Sequence, residues 1–339
     1  MTLGLTLDTS ASQQISGATL EIVEPCKPAP GVEGPHRLIA GNNLAALDAL
    51  RDEAVAVHLV YLDPPFFTQR LHHRTKRKRN QRTGRLERSK APAFDDRWPS
   101  LATYLAELHK RISRLRELLT PDGCAIIHVD PTTSHYVKVM CDQVFGPECF
   151  ASEIVWRYRR WPAKTKNFQR VHDVLLRYQR DPKQTPRFEQ LYEPLAPSTR
   201  ATWGDTKQLA DFDSDGRRIR STRTSEPSPG TPLGDVWEIG VIAPVAKERT
   251  GYPTQKPEAL VKRVVQACSH PGDLVLDPYL GSGTTMVVAA GEKRRAIGID
   301  CSGEAIEVTR KRLQDRSIPF QYERVLTPAS PEYSALTQG

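Results

Sequence analysis

The 339-residue chain contains no apolar run long enough to cross a bilayer, so no transmembrane helix is expected. Its N-terminus lacks the basic-then-apolar pattern of a secretory signal, and the expected compartment is the cytoplasm of a bacterial or phage-infected cell, close to the nucleoid. Cysteine is sparse. Cys26, Cys124, Cys141, Cys149, Cys268 and Cys301 form no CxxC pair and no Cys/His spacing that suits zinc, so reduced thiols and no metal are expected. No internal repeat is visible. What remains is a globular composition, 38% hydrophobic and 26% charged, with enough chain to bury a large core. The net charge of +8 favours polyanionic partners, although its distribution says more than its size.

Residues 1–35 are rich in Thr, Ser, Gly and Pro and read as a flexible arm; residues 316–339 read as a similar tail. Between them, short apolar runs alternate with helical periodicity. His36–Ala40 and Val55–Leu62 predict strands, the second apolar enough for a buried parallel strand. Leu101, Leu105, Leu108, Ile112, Leu115 and Leu119 fall on one helical face, which Pro121-Asp122-Gly123 should stop. Cys124–Val129, Leu274–Asp277 and Ala296–Asp300 predict further strands, and 135–144, 257–268 and 304–313 predict helices. Glu153–Arg159 and Val171–Tyr178 predict an antiparallel pair. The alternation implies an α/β fold with a doubly wound, mostly parallel, Rossmann-like sheet. Residues 68–97 break the pattern and predict a basic loop, with ten Lys or Arg between Arg70 and Lys90 and Glu87 as the single acid. Residues 181–250 are polar and aperiodic and predict an inserted recognition region, which leaves 36–180 and 251–315 as the two halves of the sheet domain.

Asp277-Pro278-Tyr279-Leu280-Gly281-Ser282-Gly283-Thr284-Thr285 lies between a predicted strand and a predicted helix. Glycines there let the backbone approach a ligand closely, and Asp300 ends the next strand, where a ribose-binding carboxylate belongs. A phosphate loop is excluded because no Lys follows Gly283. A dinucleotide fingerprint is disfavoured because its third Gly position holds Met286. A nucleoside without a pyrophosphate, such as S-adenosylmethionine, fits; a glycine turn with no ligand is the bland alternative.

Asp63-Pro64-Pro65-Phe66 follows the apolar strand and so sits at the ligand-gathering edge of the sheet. Two prolines stiffen the turn and remove two donors, which lets the Asp63 side chain and the Pro64 carbonyl act as paired acceptors. An exocyclic amino group has two N–H donors that match them. Its lone pair is delocalised into the base ring, and hydrogen bonds to both N–H groups shift the nitrogen towards sp³. Asp63 would stabilise the positive charge that then develops, and Phe66 offers a ring face to a base rotated out of the duplex. Taken alone, the tetrad could be a plain proline turn; strand, glycine loop and basic segment together argue otherwise.

At these residues the chain resembles the amino-methyltransferases of DNA, which make N6-methyladenine or N4-methylcytosine. The tetrad precedes the glycine loop, an order that resembles the beta group of that family. The resemblance covers roughly residues 36–315. It implies S-adenosylmethionine as cofactor, double-stranded DNA as partner, base flipping, a homodimer, and a separate cognate restriction endonuclease of a restriction-modification system. It implies catalytic roles for Asp63, Pro64, Pro65 and Phe66. It places Asp277, Tyr279, Gly281, Ser282, Gly283, Thr284, Thr285 and Asp300 at the cofactor. Thr254-Gln255-Lys256-Pro257 resembles the element before the cofactor loop, which puts Thr254 and Lys256 at the methionine end; Gly41-Asn42 resembles a Gly-Asp element, which puts Asn42 nearby. Asn167 to Asp173 resembles a segment near the flipped base, although a polar hairpin turn explains it equally well. Asp at the first tetrad position is the form usual for adenine, which leans the target slightly to N6-adenine over N4-cytosine.

For DNA contact the sequence offers three cationic groups. Arg74, Lys76, Arg77, Lys78 and Arg79 follow the tetrad. Arg157, Arg159, Arg160, Lys164 and Lys166 are interleaved with aromatics, though a charge-guarded edge strand would look the same. Arg217 and Arg218, with Arg200, Lys207, Arg220 and Arg223, are available for base-edge readout in the insert. A 5-methylcytosine enzyme is rejected, because the lone Pro-Cys pair, Pro25-Cys26, lies in the arm. RNA and protein-glutamine methyltransferases usually carry the two motifs in the opposite order. A non-catalytic DNA-binding protein would bind no cofactor and would ignore loss of Asp63.

Overall fold

The computed structural model describes residues 17–26, 34–79, 86–162, 164, 166–219, 221 and 224–330. They form two compact units: residues 189–234, and the rest of the chain. The larger unit begins with β1 (Thr19–Glu24), β2 (His36–Ala40), α1 (Asn43–Asp52), β3 (Val57–Leu62), β4 (Leu71–Arg79), β5 (Leu86–Asp95), α2 (Leu101–Leu118), β6 (Leu119–Val129), α3 (Ser134–Phe145), β7 (Phe150–Arg157) and β8 (His172–Gln179). The smaller unit holds β9 (Tyr192–Glu193), α4 (Pro197–Trp203), β10 (Thr206–Gln208), β11 (Asp211–Phe212), β12 (Arg218–Ile219), β13 (Thr224–Pro227) and β14 (Thr231–Pro232), paired in short antiparallel ladders. The chain then returns through β15 (Val236–Glu238), α5 (Glu258–Cys268), β16 (Leu274–Asp277), α6 (Thr284–Gly291), β17 (Arg295–Asp300), α7 (Gly303–Asp315) and β18 (Phe320–Leu326).

The main sheet runs β1-β18-β2-β17-β16-β3-β6-β8-β7-β15, and from β18 to β6 every neighbouring pair is parallel. Helices cover both faces, so the central strands are apolar nearly throughout; four of the six residues at the end of β3, Leu59 to Leu62, are fully inside. The Leu stripe of α2 packs as its spacing demands, with Leu105, Leu108, Ile112, Leu115 and Leu118 buried in the main core. Each such side chain contributes about 1.5–3 kcal/mol over an exposed one. Ser100 opens the helix by accepting from Thr103 N at 3.1 Å. Among the described residues no helix is long and apolar enough to cross a membrane.

The structure corrects the sequence in three places. Residues 71–79 and 86–95 pair as antiparallel strands, β4 against β5, where a loop was expected. Cations at successive positions of the sequence hide any alternation; the ladder rests on backbone pairing. The supposed arm and tail each supply a strand, β1 and β18, which pair with one another. In β18 the charged Glu323 is fully buried, because Arg37 meets its carboxylate at 2.6 and 2.7 Å, and a buried ion pair reads as surface in a sequence. The insert is narrower than 181–250: residues 235–250 belong to the larger unit, where β15 extends the sheet beside β7.

Candidate active site

Four neighbouring parallel strands end at one edge, and each delivers an acid there. In spatial order these are Asp300 (β17), Asp277 (β16), Asp63 (after β3) and Asp130 (after β6). A cavity of about 460 Å³ opens over three of these strands. Its lining unites the tetrad Asp63 to Phe66, the glycine-loop residues Tyr279, Gly281, Ser282, Thr284 and Thr285, the Asp300 carboxylate, and Thr254 and Lys256. Residues more than 200 positions apart in the chain thus share one pocket, as the two motifs required.

The glycine loop is shaped by its backbone. Gly281 and Gly283 have φ of 54° and 78°, the left-handed region. The Asp300 carboxylate accepts from Gly281 N and Ser302 N, both at 2.8 Å, and so ties the loop to the end of β17. A Cβ on Gly283 would lie 2.7 Å from Thr309 on α7. Gly283→Ala therefore combines left-handed strain with a clash, and a loss of about 2–4 kcal/mol is expected. Thermal melting checks this; an unchanged midpoint would show that the loop relaxes freely.

Asp277, Gly283 and Asn42 stand outside the cavity lining. Asn42 caps α1, its side chain accepting from Leu44 N and Ala45 N. Asp277 is buried behind the loop, accepting from Thr285 Oγ1 at 2.6 Å and Tyr279 N at 3.0 Å. Burial, with the nearby charges of Asp63 and Asp300, pushes its carboxyl up to about 7. A carboxyl raised in the folded state binds its proton there and not in the unfolded chain between pH 4 and 7. Its contribution is therefore lost as pH rises through that window, on the order of 4 kcal/mol in all. Asp277→Asn, neutral throughout, should gain in melting temperature relative to the parent as pH goes from 5 to 8. A difference that stays constant across that range would show that Asp277 is already ionised.

The tetrad is held from both sides. Downstream, Phe67 and Gln69 take left-handed φ of 60° and 58°, costly for residues with a side chain. The buried carboxylate of Asp96 compensates by accepting from Phe67 N, Thr68 N, Thr68 Oγ1 and Trp98 Nε1 at 2.6–3.0 Å. On the other side, the Lys256 ammonium donates to both oxygens of Asp63 at 2.7 Å and lies 4.7 Å from the Phe66 ring centroid. Thr254, two residues earlier, also has a left-handed φ of 59°, rare for a β-branched residue. The geometry thus ties Lys256 to the Asp63 carboxylate.

Behind Asp63 lies a polar cluster that no motif announced. His128, fully buried on β6, shares a 2.8 Å hydrogen bond between Nδ1 and the Tyr61 hydroxyl. Its Nδ1 is 4.0 Å from Asp63, and its Nε2 is 3.4 Å from Asp173 on β8. Burial and then the Lys256 charge hold the imidazole below its ordinary value, so it is neutral at pH 7. Burial pushes the Asp173 carboxyl up, but His128, Lys256 and the Tyr158 hydroxyl together hold it below the usual carboxylate range. The one advance signal was Asp173, within the segment matched to the flipped-base region.

The hairpin that replaces the basic loop forms a wall of the cavity. His72 and Phe94 stack at 4.5 Å, Phe94 faces Tyr252 at 6.5 Å, and Ser302 Oγ donates to Ala93 O at 2.9 Å. Arg74 is ion-paired to Glu304 at 2.7 Å and half-buried, while Lys76, Arg77, Lys78 and Arg79 lie on β4 with side chains outside the described residues. Trp156 on β7 and Tyr158 just beyond it are buried; Arg157 pairs with Glu238, and Arg159, Arg160, Lys164 and Lys166 are exposed. In the smaller unit Arg217 is exposed and Arg200 pairs with Asp205. The side chains of Lys207 and Arg218, and all of Arg220 and Arg223, lie outside the described residues.

The cavity suits a cationic nucleoside. Phe94, Tyr252 and Tyr279 supply aromatic walls, Asp300 a carboxylate, and Gly281 a place where a Cβ would meet Tyr252 at 3.3 Å. With the Asp63 tetrad in the same pocket, fold and site define an S-adenosylmethionine-dependent methyltransferase. The DNA methylase profile of N6- and N4-methylating enzymes matches residues 57–311, three quarters of the chain, and the protein belongs to that family. The Type II methyltransferase M.EcaI of Enterobacter cloacae is 30% identical over 326 residues, 82% of this chain and 69% of its own. The DNA adenine methyltransferase YhdJ of Escherichia coli K12 is 28% identical over 85% of this chain and 86% of its own. The PvuII DNA methyltransferase, cytosine-N4-specific, shares the fold, with a TM-score of 0.54 at 14% identity over 94% of each chain.

Proposed function

We propose that this DNA methyltransferase acts on the exocyclic amino nitrogen of a base turned out of the duplex, N6 of adenine in the first instance. The observation that carries the reading is the Asp63 carboxylate, fixed at the end of β3 beside the Phe66 ring, in one cavity with the glycine loop and Asp300. S-adenosylmethionine, when bound, supplies the electrophilic methyl group. Asp300 and the Gly281 backbone hold the nucleoside end, with Thr254, Ser282 and Thr284 also lining the cavity. Asp63 and the Pro64 carbonyl accept the two amino N–H groups, localise the nitrogen lone pair and stabilise the developing charge. Phe66 stacks on the base. Lys256 holds the Asp63 carboxylate in place until the amino group takes over its oxygens. The relative YhdJ is an adenine enzyme by its name, which supports the preference for adenine.

The residues 189–234 serve as the target-recognition unit, with Arg217 exposed for base edges, and the exposed cations after β7 contact phosphates. A homodimer in the bacterial cytoplasm, near the nucleoid and beside a separate cognate endonuclease, completes the proposal. The deciding experiment uses purified protein, labelled S-adenosylmethionine and DNA from a methylation-deficient host, digested to nucleosides afterwards. N6-methyl-2′-deoxyadenosine is the expected product. N4-methyl-2′-deoxycytidine would overturn the choice of base, and no label in DNA despite normal donor binding would overturn the mechanism.

A further inference from the structure

The described residues between β7 and β8 (158–162, 164 and 166–171) follow the same sheet edge as Asp63. β8 runs antiparallel to β6 and β7 antiparallel to β8, so Arg157 and Val129 end their strands on one side. The root of this segment is tightly fastened. Tyr158 N donates to Val171 O at 2.9 Å and its hydroxyl to Asp173 at 3.0 Å; Trp156 Nε1 donates to Ile239 O at 2.8 Å. Arg170 bonds Asp130, the acid at the end of β6, at 2.7 Å. Further out, Gln169 Nε2 reaches across to Trp161 O at 2.9 Å and joins the two arms. Through Asp173 and His128 the root stands directly behind the catalytic Asp63.

The outer part carries two large rings with no packing role. Trp161 is 92% exposed and Phe168 99% exposed. Arg159, Arg160, Lys164 and Lys166 around them are exposed as well. Two unburied rings set among cations on a fastened arm, beside a pocket for a single base, form a contact surface for a stacked polyanion. A base that leaves the duplex opens a gap flanked by unstacked neighbours, and an apolar side chain entering there lowers the cost of extrusion. Cations cannot fill such a gap, but they can seat the arm on the phosphates beside it.

We propose that Trp161 and Phe168 form an aromatic wedge that enters the base stack at the target step and holds it open while the base occupies the Asp63 cavity. This rests on the reading of the enzyme as one that flips a base from duplex DNA. Both side chains are exposed, so removing them leaves the fold and the donor site intact.

The test compares the wild type with the Trp161→Ala/Phe168→Ala double variant. The site that the wild type methylates is first mapped on genomic DNA and then built into two synthetic duplexes. One is fully paired; in the other the target base faces an abasic position and is already half freed. The expected result is a fall in kcat/KM of about 10–100-fold on the paired duplex and recovery to within about threefold of wild type on the abasic one. The fluorescence rise of 2-aminopurine at the target position of the paired duplex should disappear, and donor affinity and melting temperature should not move. Trp161→Phe should retain most of the activity. An equal loss on both duplexes would reduce the rings to general DNA affinity, and no loss on either would remove the wedge altogether. If the wild type itself labels no DNA, the underlying functional reading fails before the wedge is in question.

Discussion

Asp63→Ala is expected to fold, with a lower melting temperature because Lys256 loses its partner, to bind S-adenosylmethionine within about threefold of the wild-type affinity, and to transfer methyl groups about 10²–10³-fold more slowly. The carboxylate ends a strand whose last four residues are wholly buried, so its position is set by the sheet and not by the ligand. Asp300, the carboxylate proposed for the donor's ribose, sits two strands away and is untouched. The loss should therefore appear in the single-turnover rate with DNA and leave donor titration almost unchanged. Asp63→Asn keeps an acceptor oxygen but no charge and should fall between the two. Full activity in the alanine variant would mean that another group carries the amino nitrogen.

Lys256→Met is the second large effect. The two partners have side-chain exposures of 8% and 18%, so the ion pair is largely shielded. Removing one partner of such a pair leaves the other charge uncompensated, at a cost of about 3 kcal/mol, the lower end of the range because Asp63 keeps some water. The variant should melt several degrees lower and lose activity. Adding Asp63→Asn should restore much of the lost stability, since no bare charge remains. A double variant that simply sums the two single effects would show that the pair is not energetically coupled. Lys256→Arg keeps the charge but spreads it over a planar fork and should recover stability better than activity.

What the sequence disclosed depended on how local each feature was. The Asp63 tetrad and the loop from Asp277 to Thr285 are contiguous, and their flanking strands and helices have clear periods, so both were legible along with the α/β class. The contact between Lys256 and Asp63 spans 193 positions and has no sequence signature. The cluster of Tyr61, His128, Tyr158 and Asp173 is drawn from four different strands or their ends and forms only when β3, β6, β8 and β7 lie in register. Asp96 looked like one more polar residue in a charged segment, although it gathers four donors. Asn42 resembled a ligand-contacting position because helix caps and ligand loops draw on the same short polar residues.

The pairing of β1 with β18 has a consequence for how such enzymes relate to one another. Thr19 lies opposite Leu326, so the first and last described strands are neighbours across a single ladder. A circular permutation that joined these ends and opened the chain within 189–234 would place the glycine loop ahead of the tetrad. Every central strand would keep its partners, and Asp300, Asp277 and Asp63 would still stand side by side. The order of the two motifs therefore records where the gene is cut, while the chemistry records only which strands are adjacent.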